Sequence, residues 1–218
     1  MKKTDIQLRQ DVNDELEWEP AVHASEIDVD VKDGVATLTG TVCSYSEKWA
    51  ADSAALRVHG VKAVDSELDV RLHESHGRED EAIQRAAESV LEWRSSLSEN
   101  DITVSVDNGW VTLSGTVKWQ YQREAAADGV RYLTGVTGLT NDICLDSPVS
   151  ASGVKKDIEM ALERAAATDA KDIHVDVRGS SVTLTGAVRS AAERQAATDA
   201  VWAAPGVTSV VDKLATTY

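Results

Sequence analysis

A sixteen-residue pattern occurs three times in this 218-residue chain, and it excludes most folds. Ile27–Val42, Ile102–Val117 and Ile173–Val188 each read I-x-V-x-V and then, seven residues on, L-x-G-x-V. The copies are offset by 75 and then 71 residues. Gly60-Val61, Gly135-Val136 and Gly206-Val207 follow at matching places. One large enzyme core has no reason to repeat itself this way, whereas a modular binding or scaffolding protein does. Each unit has roughly 70 residues, near the lower size for independent folding.

The residues around the pattern set the elements. Leu8, Val12 and Leu16 stand at i, i+4, i+8, as do Ile83, Ala87, Leu91 and Val154, Ile158, Leu162. Each set is one apolar stripe on an amphipathic helix. Ile27, Val29 and Val31 alternate with Asp28 and Asp30, which marks a half-buried strand. Lys32-Asp33-Gly34 and Asp107-Asn108-Gly109 supply hairpin turns. The third copy has Arg178-Gly179-Ser180, with its glycine displaced by one.

The second strand should point Ala36, Leu38, Val42 and their equivalents inward. Gly40, Gly115 and Gly186 fall on that face, where a second helix is expected to approach. That helix should bury Ala50, Ala54, Ala55 and Val58, then Ala125, Gly129, Val130 and Leu133, then Ala196, Ala200, Val201 and Ala204. A third strand carries Leu68, Ile143 and Leu214. The order is α-β-β-α-β. The fold class is therefore α+β, three tandem domains, each a mixed three-stranded sheet with two helices on one face. The expected domains are 1–73, 77–147 and 152–218, joined by polar linkers such as Ser147-Pro148-Val149.

The helix, the glycine-bearing hairpin, the Ala-rich second helix and the final G-V-x-x-V-x-x-x-L strand resemble the BON domain (bacterial OsmY and nodulation), in three copies covering nearly the whole chain. The resemblance implies a non-enzymatic protein, phospholipid or membrane attachment, and osmotic or envelope stress. Some relatives are linked to potassium sensing. No catalytic motif or cofactor comes with it.

Charge limits the partners. The net charge is −15, divided as −8 over 1–75, −6 over 76–150 and −1 over 151–218. Such a chain repels nucleic acid and anionic lipid as a whole. An anionic membrane should therefore meet the third repeat, with Lys155, Lys156, Arg164, Arg189 and Arg194 as contacts and Trp202 as an apolar anchor. No apolar run reaches the roughly 18 residues of a membrane span. Lys2 and Lys3 are not followed by the apolar stretch of a signal peptide, so the expected location is cytoplasmic, or periplasmic if a leader was removed.

The six tryptophans stand out in a chain with no phenylalanine. Trp110 starts a second strand on its outward face, Trp119 and Tyr121 follow that strand, and Trp18 and Trp93 are equivalent. They either cap the core and cover neighbouring repeats, or form a docking surface, in which case Trp110 and Trp119 lead. The second option makes the protein a scaffold or self-assembling unit.

Cys43 and Cys144 occupy non-equivalent places and are read as small apolar side chains in a reducing compartment. His73, Glu74 and His76 lie in a polar linker, and Asp28, Asp30 and Asp33 are read as a charged sheet edge. Neither has metal-site spacing, so no metal is expected. No nucleophile–base set recurs across the repeats, so no enzyme activity is expected.

Overall fold

A computed structural model describes residues 3–72, 78–94, 97, 101–146, 156, 158–160, 173–204 and 206–216. The first repeat contains α1 (Asp5–Trp18), β1 (Ile27–Lys32), β2 (Val35–Val42), α2 (Tyr45–Arg57) and β3 (Ala63–Val70). The second contains α3 (Asp80–Trp93), β4 (Ile102–Asp107), β5 (Trp110–Val117), α4 (Gln120–Arg131) and β6 (Gly138–Leu145). In the third, Lys156 and residues 158–160 are helical, followed by β7 (Ile173–Arg178), β8 (Ser181–Val188), α5 (Ala191–Trp202) and β9 (Ser209–Thr216).

Each repeat has its own three-stranded sheet, with the second strand in the centre. The first strand pairs antiparallel with it and the third pairs parallel. The fold is α+β in three tandem domains, as the period-2 and period-3.6 stretches require. The register is common to all three: Ile27 faces Gly40, Ile102 faces Gly115, and Ile173 faces Gly186.

The displaced turn glycine leaves this register intact because the turn type changes. Asp33 and Gly34, and likewise Asn108 and Gly109, all have positive φ, the requirement of a type I′ turn. In the turn of the third repeat Gly179 has positive φ and Ser180 does not, the pattern of a type II′ turn. Both turns have two residues, so both close the same hairpin.

Three cores form, one per repeat. The first-helix stripes Leu8, Val12, Leu16 and Ile83, Ala87, Leu91 are buried, as is Ile158; Val154 and Leu162 lie outside the described residues. The expected inward residues of β2, β5 and β8 are buried throughout.

The second helix buries part of the expected stripe: Ala54, Ala55 and Val58, then Val130, then Val201 and Ala204. Its buried stripe is Glu47, Ala51, Ala54, Ala55; then Gln122, Ala126, Ala127, Val130; then Ala191, Glu193, Ala197, Val201. Ala50, Ala125, Gly129, Leu133, Ala196 and Ala200 are only partly buried. A reading by apolar residues alone misses the start of this stripe, because two of the three stripes open on a polar side chain and the third carries one in its first turn.

The strand glycines also play a different part. A Cβ on Gly40 would lie 2.1 Å from the carbonyl oxygen of Glu26, and one on Gly115 would lie 2.1 Å from that of Asp101. The close neighbour is the chain entering the first strand, not the second helix.

Candidate functional site

Two local devices recur. In the first, a carboxylate at the start of a repeat holds its hairpin. Asp5 accepts from the backbone N–H groups of Asp33 and Gly34 at 2.9 and 3.2 Å. Asp80 accepts from Asn108 and Gly109, both at 2.8 Å. The equivalent residue of the third repeat is Ala151, where the turn sequence also differs.

In the second device, a polar side chain caps the second helix from within. Glu47, 5% exposed, accepts from the backbone N–H of His23 and of Cys43, both at 2.8 Å, and its Oε1 lies 2.7 Å from His23 Nδ1. Gln122 accepts from Lys118 and Trp119, both at 3.1 Å, and Glu193 from Arg189 at 2.6 Å. Burial pushes the Glu47 carboxyl upward, but the hydrogen bonds from His23 and Cys43 outweigh it and hold the group below its ordinary value. Ser44-x-x-Glu47 and Ser190-x-x-Glu193 have the spacing of a capping box, the sequence signal that would have found them.

The repeats touch one another in a cyclic order. At the first seam, Tyr45 packs on the second repeat's core, and the guanidinium carbon of Arg131 sits 4.0 Å from the centre of the Trp49 ring. Burial raises the Asp52 carboxyl and the Tyr45 hydroxyl on this helix. At the second seam, Trp119, Gln120, Tyr121 and Glu124 of the second repeat face Asp199, Trp202 and Ala203 of the third across a cleft of about 270 Å³. At the third, the Ala191 N–H donates to the Val61 carbonyl at 3.1 Å and α5 meets α2. Each time, the start of one second helix meets the end of another. A head-to-tail contact repeated three times closes on itself.

The expected membrane contacts are not gathered into one patch. Arg194 is ion-paired with Asp212. Lys156 and Arg189 are exposed, and Trp202 is partly buried at the second seam. Lys155 and Arg164 lie outside the described residues.

The tryptophans divide into three groups. Trp49, Trp119 and Trp202 serve the seams. Trp110 lies against Gly138 on the neighbouring strand and donates its indole N–H to Thr140 Oγ1 at 2.9 Å. Trp18 and Trp93 end α1 and α3 and are 83% and 89% exposed. Cys43 and Cys144 are both exposed, which corrects the reading of them as packed apolar side chains. His73, Glu74 and His76 lie outside the described residues, and among the described residues no cluster of three metal-ligating side chains occurs. No helix among them is long and apolar enough to cross a membrane.

No curated protein matches the chain. Among solved structures, CdsD, a structural protein of the type III secretion system of Chlamydia trachomatis, is similar at 18% identity and TM-score 0.27, over 97% of this chain and 93% of that one. Its C-terminal domain gives 18% and 0.28, over 99% and 100%. The PrgH periplasmic domain gives 10% and 0.22, over 88% and 96%. Scores this low establish no common arrangement of the whole chain. The BON domain model, by contrast, matches residues 4–71, 79–147 and 150–218. With the repeat pattern, the common register and the three separate sheets, this places the chain in the BON domain family, as three copies in tandem.

Proposed function

We propose that this chain is a non-catalytic binding protein that attaches peripherally to a phospholipid surface, with Trp18 and Trp93 as its apolar anchors. The observation that carries the reading is their exposure at equivalent positions on two repeats. An indole on a helix end, apolar in its body and polar at its N–H, suits the membrane–water boundary. Trp18 lies between Glu17 and Glu19, the latter ion-paired with Arg57, and Trp93 lies between Glu92 and Arg94. With charges of both signs beside the two rings, the surface they suit is zwitterionic rather than anionic. Charge-led docking by the third repeat is weaker than its sequence implies, because Asp212 already neutralises Arg194.

Vesicle flotation tests this. The full chain should float with phosphatidylcholine vesicles, and a Trp18→Ala/Trp93→Ala chain should not. Better binding to anionic vesicles, lost when Lys156 and Arg189 are changed to Gln, would return the contact to the third repeat. A chain that floats with neither kind of vesicle, but whose light scattering rises with concentration, would be a self-assembling scaffold instead.

A further inference from the structure

The first and second seams are built at equivalent positions with opposite contents. Trp49 corresponds to Glu124, and Arg131 to Trp202. At the first seam the protein supplies both halves of a cation–aromatic pair, Arg131 over Trp49. At the second it supplies three aromatic side chains, Trp119, Tyr121 and Trp202, and two carboxylates, Glu124 and Asp199, with no Lys, Arg or His among the described residues that line it. Trp119 and Tyr121 are 38% and 57% exposed, so the aromatic walls are open to solvent. Each carboxylate is oriented by a glutamine one turn earlier: Gln120 donates to Glu124 at 3.0 Å and Gln195 donates to Asp199 at 2.8 Å. The Oε1 of Gln120 is buried without a hydrogen-bond partner.

We propose that the cleft between the second and third repeats is a binding site for a small organic cation, an alkylammonium such as choline. Aromatic faces attract a cation through their quadrupole, and methylated ammonium groups carry the apolar surface that indole and phenol rings cover well. The two carboxylates add charge and exclude anions. The cleft volume of about 270 Å³ accommodates one such head group. The first seam shows that this meeting of helix ends places a cation over an aromatic ring when the chain provides one. This site is separate from Trp18 and Trp93, so it does not depend on the membrane reading.

The test uses the ¹⁵N-labelled full chain, whose six indole N–H signals report separately. Tetramethylammonium chloride and choline chloride should shift the Trp119 and Trp202 signals saturably and leave those of Trp18 and Trp93 in place. Potassium chloride at equal concentration, and 3,3-dimethyl-1-butanol, the uncharged analogue of choline, should not. Glu124→Gln, an exposed change that leaves the fold intact, should weaken binding about two- to five-fold, as should Trp202→Leu. The Trp18→Ala/Trp93→Ala chain should bind choline unchanged. Equal shifts with the uncharged analogue, or with potassium, would overturn the proposal. So would a response to phosphatidylcholine vesicles without one to free choline, or no shift at all.

Discussion

Gly40, Gly115 and Gly186 have φ near 130°, 130° and 125°, a conformation reserved for glycine. At Gly115 the Cβ itself is what the Asp101 carbonyl cannot tolerate. Gly115→Ala should therefore destabilise the second repeat by about 1–3 kcal/mol, nearly as much as Gly115→Val. Denaturant midpoints of the two variants check this. A helix packed over the glycine would instead penalise Val far more than Ala. Glu47 makes a second prediction at this scale. Its pKa is lower in the folded protein than in the unfolded chain, so its contribution to stability is present above the unfolded value of about 4.3 and is lost as pH falls through the folded value. The first repeat should weaken in acid below about pH 4.3. Glu47→Gln, which keeps an acceptor as Gln122 does, should flatten that dependence in melts followed from pH 3 to 6.

The hairpin is the element whose construction differs most between copies. A two-residue I′ turn exposes two backbone N–H groups, and Asp5 or Asp80 accepts both of them. This joins the start of the first helix to the first β-turn, some 28 residues on. A charge-assisted hydrogen bond is worth about 1.5–3 kcal/mol, less where solvent reaches it. Asp80→Ala should speed amide exchange at Asn108 and Gly109 by about tenfold or more, with little change in the β5–β6 ladder. Protection unchanged at those two amides would show that the turn holds without the helix.

At the scale of the molecule, the seams decide whether three small domains behave as one. Each core is built from the buried residues of its own repeat, and the contacts between repeats among the described residues include Tyr45 on the second core, a ring on a guanidinium, one backbone hydrogen bond and a cleft of aromatic side chains. Trp49→Ala removes a cation–π contact worth about 0.5–2 kcal/mol. It should separate the melting of the first repeat from that of the second without lowering the secondary-structure content. Calorimetry of the full chain would show the added transition, and an unchanged single transition would mean that the first seam carries no coupling.

Much of this protein is written locally. Alternation of Ile and Val with Asp, the i, i+4, i+8 helix stripes, the turn residues and the spacing of three copies require α-β-β-α-β units, since these follow from backbone geometry and burial within one element. The first turn of the second helix's buried stripe escaped an apolar reading because Glu47, Gln122 and Glu193 are buried polar groups satisfied by backbone some residues away. The strand glycine was visible, but the carbonyl it admits belongs to a segment 14 residues earlier. Six tryptophans could be counted without knowing that Trp49 meets Arg131, that Trp119 and Trp202 share a cleft, or that Trp18 and Trp93 meet solvent. Those fates depend on which helix end faces which, and that is fixed by contacts between residues some 70 to 130 positions apart, which no local period encodes.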